Sequence, residues 1–157
     1  GVLTLTHVNW SAELSQAAVE LGRAGVNLDL TACIRPDYFP GSITPRRSLE
    51  ILLDGGVPAE RITVSSDAGG AHRTPEGEVV GHEPRLLLEA LQDVLDAGLL
   101  DPGEAVALFT RNPADRLGLP SAGRLDPGAD ADLLVLDETF SRGRLMLKGT
   151  WCQEEVA

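Results

Sequence analysis

Arg61-Ile62-Thr63-Val64-Ser65-Ser66-Asp67-Ala68-Gly69-Gly70 is the stretch that decides the fold. Ile62, Thr63 and Val64 are β-branched and favour extended backbone. The run then stops on a carboxylate followed by a flexible Ala-Gly-Gly turn. The same design recurs twice upstream. Val26-Asn27-Leu28-Asp29-Leu30-Thr31 reads as a strand, and so does Val2-Leu3-Thr4-Leu5-Thr6, which runs into His7-Val8-Asn9. Helical patterns separate the three. Ser11 can cap a helix with Leu14, Ala17, Ala18 and Leu21 at i, i+3, i+4 and i+7, and Gly22 and Gly25 punctuate its end. Thr44-Pro45 opens a second helix, with Leu49, Leu52 and Leu53 as its buried stripe. Strand–helix–strand–helix–strand predicts an α/β fold with a parallel sheet and helical crossovers.

Downstream, residues 83–98 carry Leu86, Leu87, Ala90, Leu91, Val94 and Leu95 on a wide apolar helical face. Asp101-Pro102-Gly103-Glu104 opens a further helix with a capping-box arrangement, and Asn112-Pro113 repeats the cap-then-Pro signal before Gly118. The character changes after that. Gly123-Arg124-Leu125-Asp126-Pro127-Gly128 is turn chemistry, residues 131–137 read as a short buried strand, and residues 143–151 read as another strand. The expected division is therefore residues 1–121 as the α/β part and residues 122–157 as a small β unit.

With 157 residues, a net charge of −11 and 43% hydrophobic residues, the composition is that of a globular chain. Nucleic acid and anionic membrane surfaces are not expected partners, because both are bound through clustered Lys and Arg and only Arg46-Arg47 forms a basic pair. Cys33 and Cys152 stand apart, which suits a reducing cytoplasm better than a disulfide framework. No apolar run approaches the roughly 18 residues that span a bilayer. The chain begins at Gly1 inside an apolar run, and it is expected to be cut from a longer protein.

Two residues carry candidate chemistry. His7 and Asp67 sit just past the carboxyl ends of strands, the rim where α/β folds build their sites. An imidazole and a carboxylate converging there can bind Zn²⁺, and the carboxylate can take a proton from water. Taken alone, each more often has a structural role, since a His at a strand end or an Asp at a turn commonly only satisfies backbone, and it is their common placement on one rim that favours chemistry. His72 and His82, the other two of the three histidines, fall in the long loop after Asp67 and read as exposed loop residues. Catalytic zinc usually has three protein ligands plus water, so the residues themselves leave the centre incomplete.

Thr6-His7-Val8-Asn9, Asn27-Leu28-Asp29-Leu30-Thr31 and residues 61–67, taken together, resemble the isoaspartyl (β-aspartyl) dipeptidase branch of the metal-dependent amidohydrolase superfamily. Asn112-Pro113-Ala114, Leu117-Gly118-Leu119 and residues 123–136 look like the C-terminus of that superfamily in general. The resemblance implies the C-terminal portion of a (β/α)₈ barrel, about three strand–helix units, plus C-terminal strands of a small β-sandwich domain. It also implies a zinc-dependent hydrolase of a C–N amide bond, a β-aspartyl dipeptidase in its full-length form and a homo-oligomer. By the same resemblance His7 is a ligand of one zinc in a two-zinc centre, while Asp67 ligates the other and acts as general base and acid. The remaining ligands, an H-x-H pair, a carboxylated lysine and a further histidine, would lie upstream. A barrel of this type needs about 250 residues, so the fragment alone is expected to be inactive.

Two positions depart from the family pattern. Trp10 stands where the branch has an arginine that grips a substrate carboxylate, and Ala71 stands where it has a serine. A Trp offers a stacking face and one N–H in place of a cationic fork. Trp10, Gly69 and Ala71 are the candidate substrate-binding residues. Arg35 and Arg73 could restore the lost charge, but both read as solvated loop residues. The alternatives are an amidohydrolase acting on another amide or a cyclic amide, and a truncated, non-catalytic module without a complete metal site.

Overall fold

In the computed structural model, residues 3–140 and 143–156 are described. Val2, where the first strand is expected to begin, lies outside them. Three parallel strands form the main sheet in the order β1 (Thr4–Leu5), β2 (Asn27–Thr31) and β3 (Ile62–Ser65). The register sets Leu28 beside Ile62 and Thr31 beside Ser65. Helix α1 (Ala12–Arg23) links the first two strands, and α2 (Pro45–Asp54) lies between β2 and β3. The expected mixed α/β arrangement is present, in an open sheet of three strands.

Alternation splits that sheet into two chemically opposed faces. Leu28, Leu30, Ile62 and Val64 are buried and pack with Ala18 of α1 and Leu49 and Leu52 of α2. Each fully buried Leu or Ile contributes roughly 2 kcal/mol. Asp29, Thr31, Thr63 and Ser65 alternate with them, and the Asp29 carboxylate collects hydroxyl donors from Thr63 (2.6 Å), Ser65 (2.7 Å) and Thr6 (3.0 Å). Three donors satisfy a carboxylate that is 8% exposed, so no cation is needed to hold it.

The caps fall where the sequence places them. Ser11 Oγ accepts from Leu14 N, Thr44 Oγ1 from Arg47 N, and Asp101 Oδ1 from Gly103 N and Glu104 N. The expected stripe of α1 is different, however. Leu14 and Leu21 are 38% and 46% exposed, while Ser15, Ala18 and Gly22 are the buried residues. The helix approaches so closely that a Cβ on Gly22 would sit 2.8 Å from Val57 Cγ1 and 2.9 Å from Leu28 Cδ1. Gly22→Val should therefore cost about 1–3 kcal/mol by overpacking, read as a lower urea midpoint at unchanged m. A midpoint equal to wild type would show that the contact can relax.

Two strands, β4 (Ala71–Arg73) and β5 (Val79–Gly81), form an antiparallel hairpin in the segment expected to be a loop. Helices α3 (Leu86–Ala97), α4 (Pro102–Ala107) and α5 (Arg111–Leu117) follow. Asn112 lies inside α5 rather than capping it. Its buried Nδ2 donates to the carbonyls of Ala59 and Ile62, fastening α5 to the entrance of β3. A separate antiparallel sheet holds β6 (Leu133–Leu136), β7 (Gly143–Leu147) and β8 (Thr150–Val156). What reads as one strand over 143–151 is thus a hairpin, turned by Lys148 and Gly149 with φ of 50° and 78°. Positive φ at both central residues matches the twist of the flanking strands. The expected buried strand is also only partly covered, with Leu134 46% and Val135 52% exposed. Among the described residues no helix is long and apolar enough to cross a membrane.

Candidate active site

Three side chains mark one rim of the main sheet. His7, Cys33 and Asp67 each stand two residues beyond the carboxyl end of β1, β2 and β3 respectively. The backbone at two of them is unusual. His7 has φ 59° and Asp67 has φ 54°, in the left-handed region that residues with a Cβ rarely adopt. Such strain persists only where surrounding contacts enforce it, and it concentrates at functional sites.

The contacts around His7 are explicit. Its Nδ1 lies 2.8 Å from Thr31 Oγ1, and with the proton on Nδ1 the lone pair resides on Nε2. A hydrogen bond of that kind orients imidazoles that bind metals. Asn9, fully buried, braces the same rim. Its Nδ2 donates to the carbonyls of Thr31 (3.0 Å), Ile34 (2.8 Å) and Ile43 (3.2 Å), while its Oδ1 accepts from Thr31 N at 2.9 Å. Carbonyls on one side and an N–H on the other fix which way the amide points.

Asp67 is exposed, and it gathers a different set of neighbours. Cys33, Asp67 and His82 each offer one ligand atom, and these atoms all lie within 4.8 Å of one another. His7 stands outside that group. Cys33 Sγ–H donates to Asp67 Oδ2 at 3.5 Å. Burial first, then the Asp67 charge and this hydrogen bond, push the thiol up to about 12. At neutral pH Cys33 therefore keeps its proton and donates a hydrogen bond to the carboxylate. His82 is 6% exposed, its Nε2 lies 3.3 Å from His72 Nδ1, and its Nδ1 is buried with no hydrogen-bond partner.

Glycine shapes the gap between them. A Cβ on Gly70 would stand 3.0 Å from His82 Nδ1 and 3.3 Å from Asp67 Oδ2. The absent side chain leaves a cradle bordered by a carboxylate and an unpartnered imidazole nitrogen, next to a thiol. That donor set, with His7 Nε2 further along the rim, fits a borderline-soft divalent ion such as Zn²⁺.

The substrate-side residues are placed as follows. Gly69 is exposed at φ 91°, and its N–H donates to the His82 carbonyl at 3.3 Å. Ala71 is exposed at the start of β4. Trp10 is 51% exposed and leans on Phe39, ring centroids 5.1 Å apart. Arg35 is engaged with Glu89 (3.0 Å) and Asp37 (3.6 Å), and Arg73 donates to the Gly77 carbonyl at 2.6 Å. Sequence reasoning assigned no role to Cys33, His82 or Asn9. Cys33 carried a usable signal, its position two residues past a strand, but His82 reaches Asp67 only through the β4–β5 hairpin.

Comparison with known proteins identifies the family of the chain. The model of the amidohydrolase family matches residues 38–157. Two crystal structures of β-aspartyl dipeptidase from Fervidobacterium islandicum AW-1 superpose on 95% of the chain, with TM-scores of 0.77 and 0.75 and identities of 24% and 26%. The chain covers 38% and 37% of those two. A dihydroorotase of Pelotomaculum thermopropionicum is 47% identical over 49 residues, 31% of this chain and 11% of its own length. An adenine deaminase of Methanothermobacter thermautotrophicus is 31% identical over 134 residues, 80% of this chain and 23% of its own. The chain thus spans well under half the length of each of these four proteins.

Proposed function

The chain belongs to the amidohydrolase family, and from that premise we propose that in its full-length form it is a zinc-dependent hydrolase of a C–N amide bond. The observation that carries this reading is the left-handed backbone at both His7 and Asp67, at matching positions on one rim. In this reading residues 1–121 are the C-terminal part of a (β/α)₈ barrel, and residues 122–157 supply strands of a β-sandwich domain. Parallel strands with helical crossovers, followed by a separate antiparallel sheet, support that division.

His7 Nε2 and the Asp67 carboxylate are the residues that would hold zinc, as parts of a two-zinc centre completed by the rest of the protein. Bound zinc lowers the pKa of water and polarises the amide carbonyl. Asp67 accepts a proton from the attacking water and returns it to the leaving nitrogen, so water is consumed and an acid and an amine are formed. Cys33 holds Oδ2 of that carboxylate, and the Thr31 hydroxyl holds the His7 ring in line.

The substrate reading leads with a β-aspartyl dipeptide, supported by the 26%-identical β-aspartyl dipeptidase structure. Exposed Trp10 favours a second class, cyclic amides, and the relatives named for adenine and dihydroorotate point to nitrogen heterocycles. The test is to assay the complete protein on β-Asp-Leu and on hydantoin, with and without a chelator. Chelator-sensitive hydrolysis of either is expected, and no hydrolysis of any amide would overturn the proposal. His7→Ala should lower zinc affinity by at least about 100-fold, since removing a residue that merely supports a ligand already costs about 10–100-fold. Unchanged zinc stoichiometry in that variant, measured by metal analysis, would remove His7 from the ligand set.

A further inference from the structure

Four arginines share one cleft at the end of the main sheet away from His7 and Asp67. The cleft, of about 570 Å³, lies where the entrance of β3, helix α5 and the turn leading to β6 meet, and its volume is that of a small-molecule site. Arg61 immediately precedes β3, Arg111 and Arg116 belong to α5, and Arg124 sits in the turn. A close backbone approach fixes that turn. A Cβ on Gly123 would stand 2.5 Å from the Thr110 carbonyl oxygen, so glycine is what lets the turn lie against the start of α5.

Charge in the cleft is not balanced. Arg124 pairs with Asp115, but Arg61 reaches only the neutral Asn27 Oδ1, at 3.4 Å, and Arg116 donates to the Glu60 carbonyl. Arg111 is exposed and makes no side-chain hydrogen bond or ion pair among the described residues. Elsewhere Arg23, Arg35, Arg46, Arg47 and Arg85 each face a carboxylate. Glu60 and Asp115 are the acids on the cleft wall, so four guanidinium groups leave a surplus of two positive charges, in a chain whose net charge is −11. The Arg116 Nε–H is buried with no acceptor. Burial first, then the Arg61 charge, pull the Arg116 guanidinium below the ordinary arginine value, and Asp115 and Glu60 oppose this less strongly. An anion in the cleft relieves both the orphaned donor and the repulsion between like charges.

We propose that the cleft lined by Arg61, Arg111, Arg116 and Arg124 is a binding site for a small phosphate-bearing molecule, separate from the rim that carries His7 and Asp67. Two surplus charges match a phosphate dianion, and planar guanidinium forks suit its oxygens. A long polyanion is repelled by the net negative chain, whereas a single dianion meets only the local surplus. Occupancy ties the entrance of β3 and α5 to the turn before β6, and so fastens the α/β part to the β unit. The site acts through stability, and it stands whatever the chain hydrolyses.

The test titrates inorganic phosphate into the complete protein by calorimetry, with chloride holding the ionic strength constant. Saturable binding at a single site per chain is expected, with a Tm that rises with phosphate and not with chloride. Arg111→Gln should weaken phosphate binding about tenfold, the loss of one charge-assisted contact, and Arg61→Gln combined with it about 100-fold. Arg111 has no partner to lose, so its variant should fold with the wild-type Tm in phosphate-free buffer. Glu60→Gln should tighten binding, because it removes a negative charge from the cleft wall, an effect that a merely structural role for these residues would not produce. Absence of saturable binding, or an affinity unmoved by Arg111→Gln and Glu60→Gln, would overturn the proposal. Phosphate held instead by a metal centre on the opposite rim would be released by a chelator and indifferent to Arg111→Gln, and that result would overturn it equally.

Discussion

Asp67→Asn in the complete protein is expected to lower kcat for amide hydrolysis by about 10²- to 10⁴-fold, the range associated with loss of a general acid–base group. The substitution is chosen for its backbone as much as for its charge. Asp67 sits at φ 54°, and Asn tolerates that region better than other side chains with a Cβ, so the loop keeps its shape. The carboxamide oxygen can still accept the hydrogen bond from the Cys33 thiol, but it cannot take a proton from water. Unfolding should stay within about 0.5 kcal/mol of wild type, because the side chain is exposed. Zinc analysis on the same sample separates a lost ligand from a lost base. Turnover within a few-fold of wild type would exclude Asp67 from the chemistry.

Asn9→Ala is expected to destabilise the protein by about 3–4 kcal/mol, near the upper limit for single substitutions. Four hydrogen bonds disappear together; the Thr31 N–H and the Ile34 carbonyl lose a partner in a buried setting, and the Ile43 carbonyl loses one in a partly buried setting. Each unpaired buried group costs about 1–3 kcal/mol, and partial relaxation keeps the sum below simple addition. Asn9→Asp is an informative companion, since it sets a carboxylate oxygen against carbonyls that now receive N–H. Denaturant unfolding at constant m provides the measurement. A loss under about 1 kcal/mol would mean that water replaces the amide. Because Asn9 ties together the segments after β1 and β2, activity should fall as well, even with His7 and Asp67 intact.

Caps made between residues two or three apart are legible in the sequence, whereas partners brought together from distant segments are not. Ser11, Thr44 and Asp101 announce their helices because a cap involves residues two or three apart. The rim positions of His7 and Asp67 follow from strand ends for the same reason. The buried face of α1 does not, because periodicity finds the large apolar residues while the close approach of Val57 and Leu28 demands Ser, Ala and Gly. Asn112 looked like a cap. Its real partners are the carbonyls of Ala59 and Ile62, about 50 residues earlier, and Pro113 is tolerated because first-turn N–H groups lack helical partners anyway. For a related reason His82, which reads as an exposed loop residue and is buried in the structure, and Cys33, which reads as a lone thiol, show no link to Asp67 in the sequence. A lone thiol and a loop imidazole gain meaning only when a hairpin and a strand end bring them to one carboxylate.

The two-faced sheet has a consequence for how this protein can change. In β2 and β3 the even-numbered residues, Leu28, Leu30, Ile62 and Val64, answer to the helices, while the odd-numbered Asp29, Thr31, Thr63 and Ser65 lie on the opposite, polar face with the hydroxyl cluster. Parity thus divides the same few residues between two separate demands. Heat tolerance can be tuned at even positions with little effect on reactivity, and new reactivity can be sought at odd positions without dismantling the packing beneath. A mutational library confined to one parity should drift in one property and hold the other nearly constant.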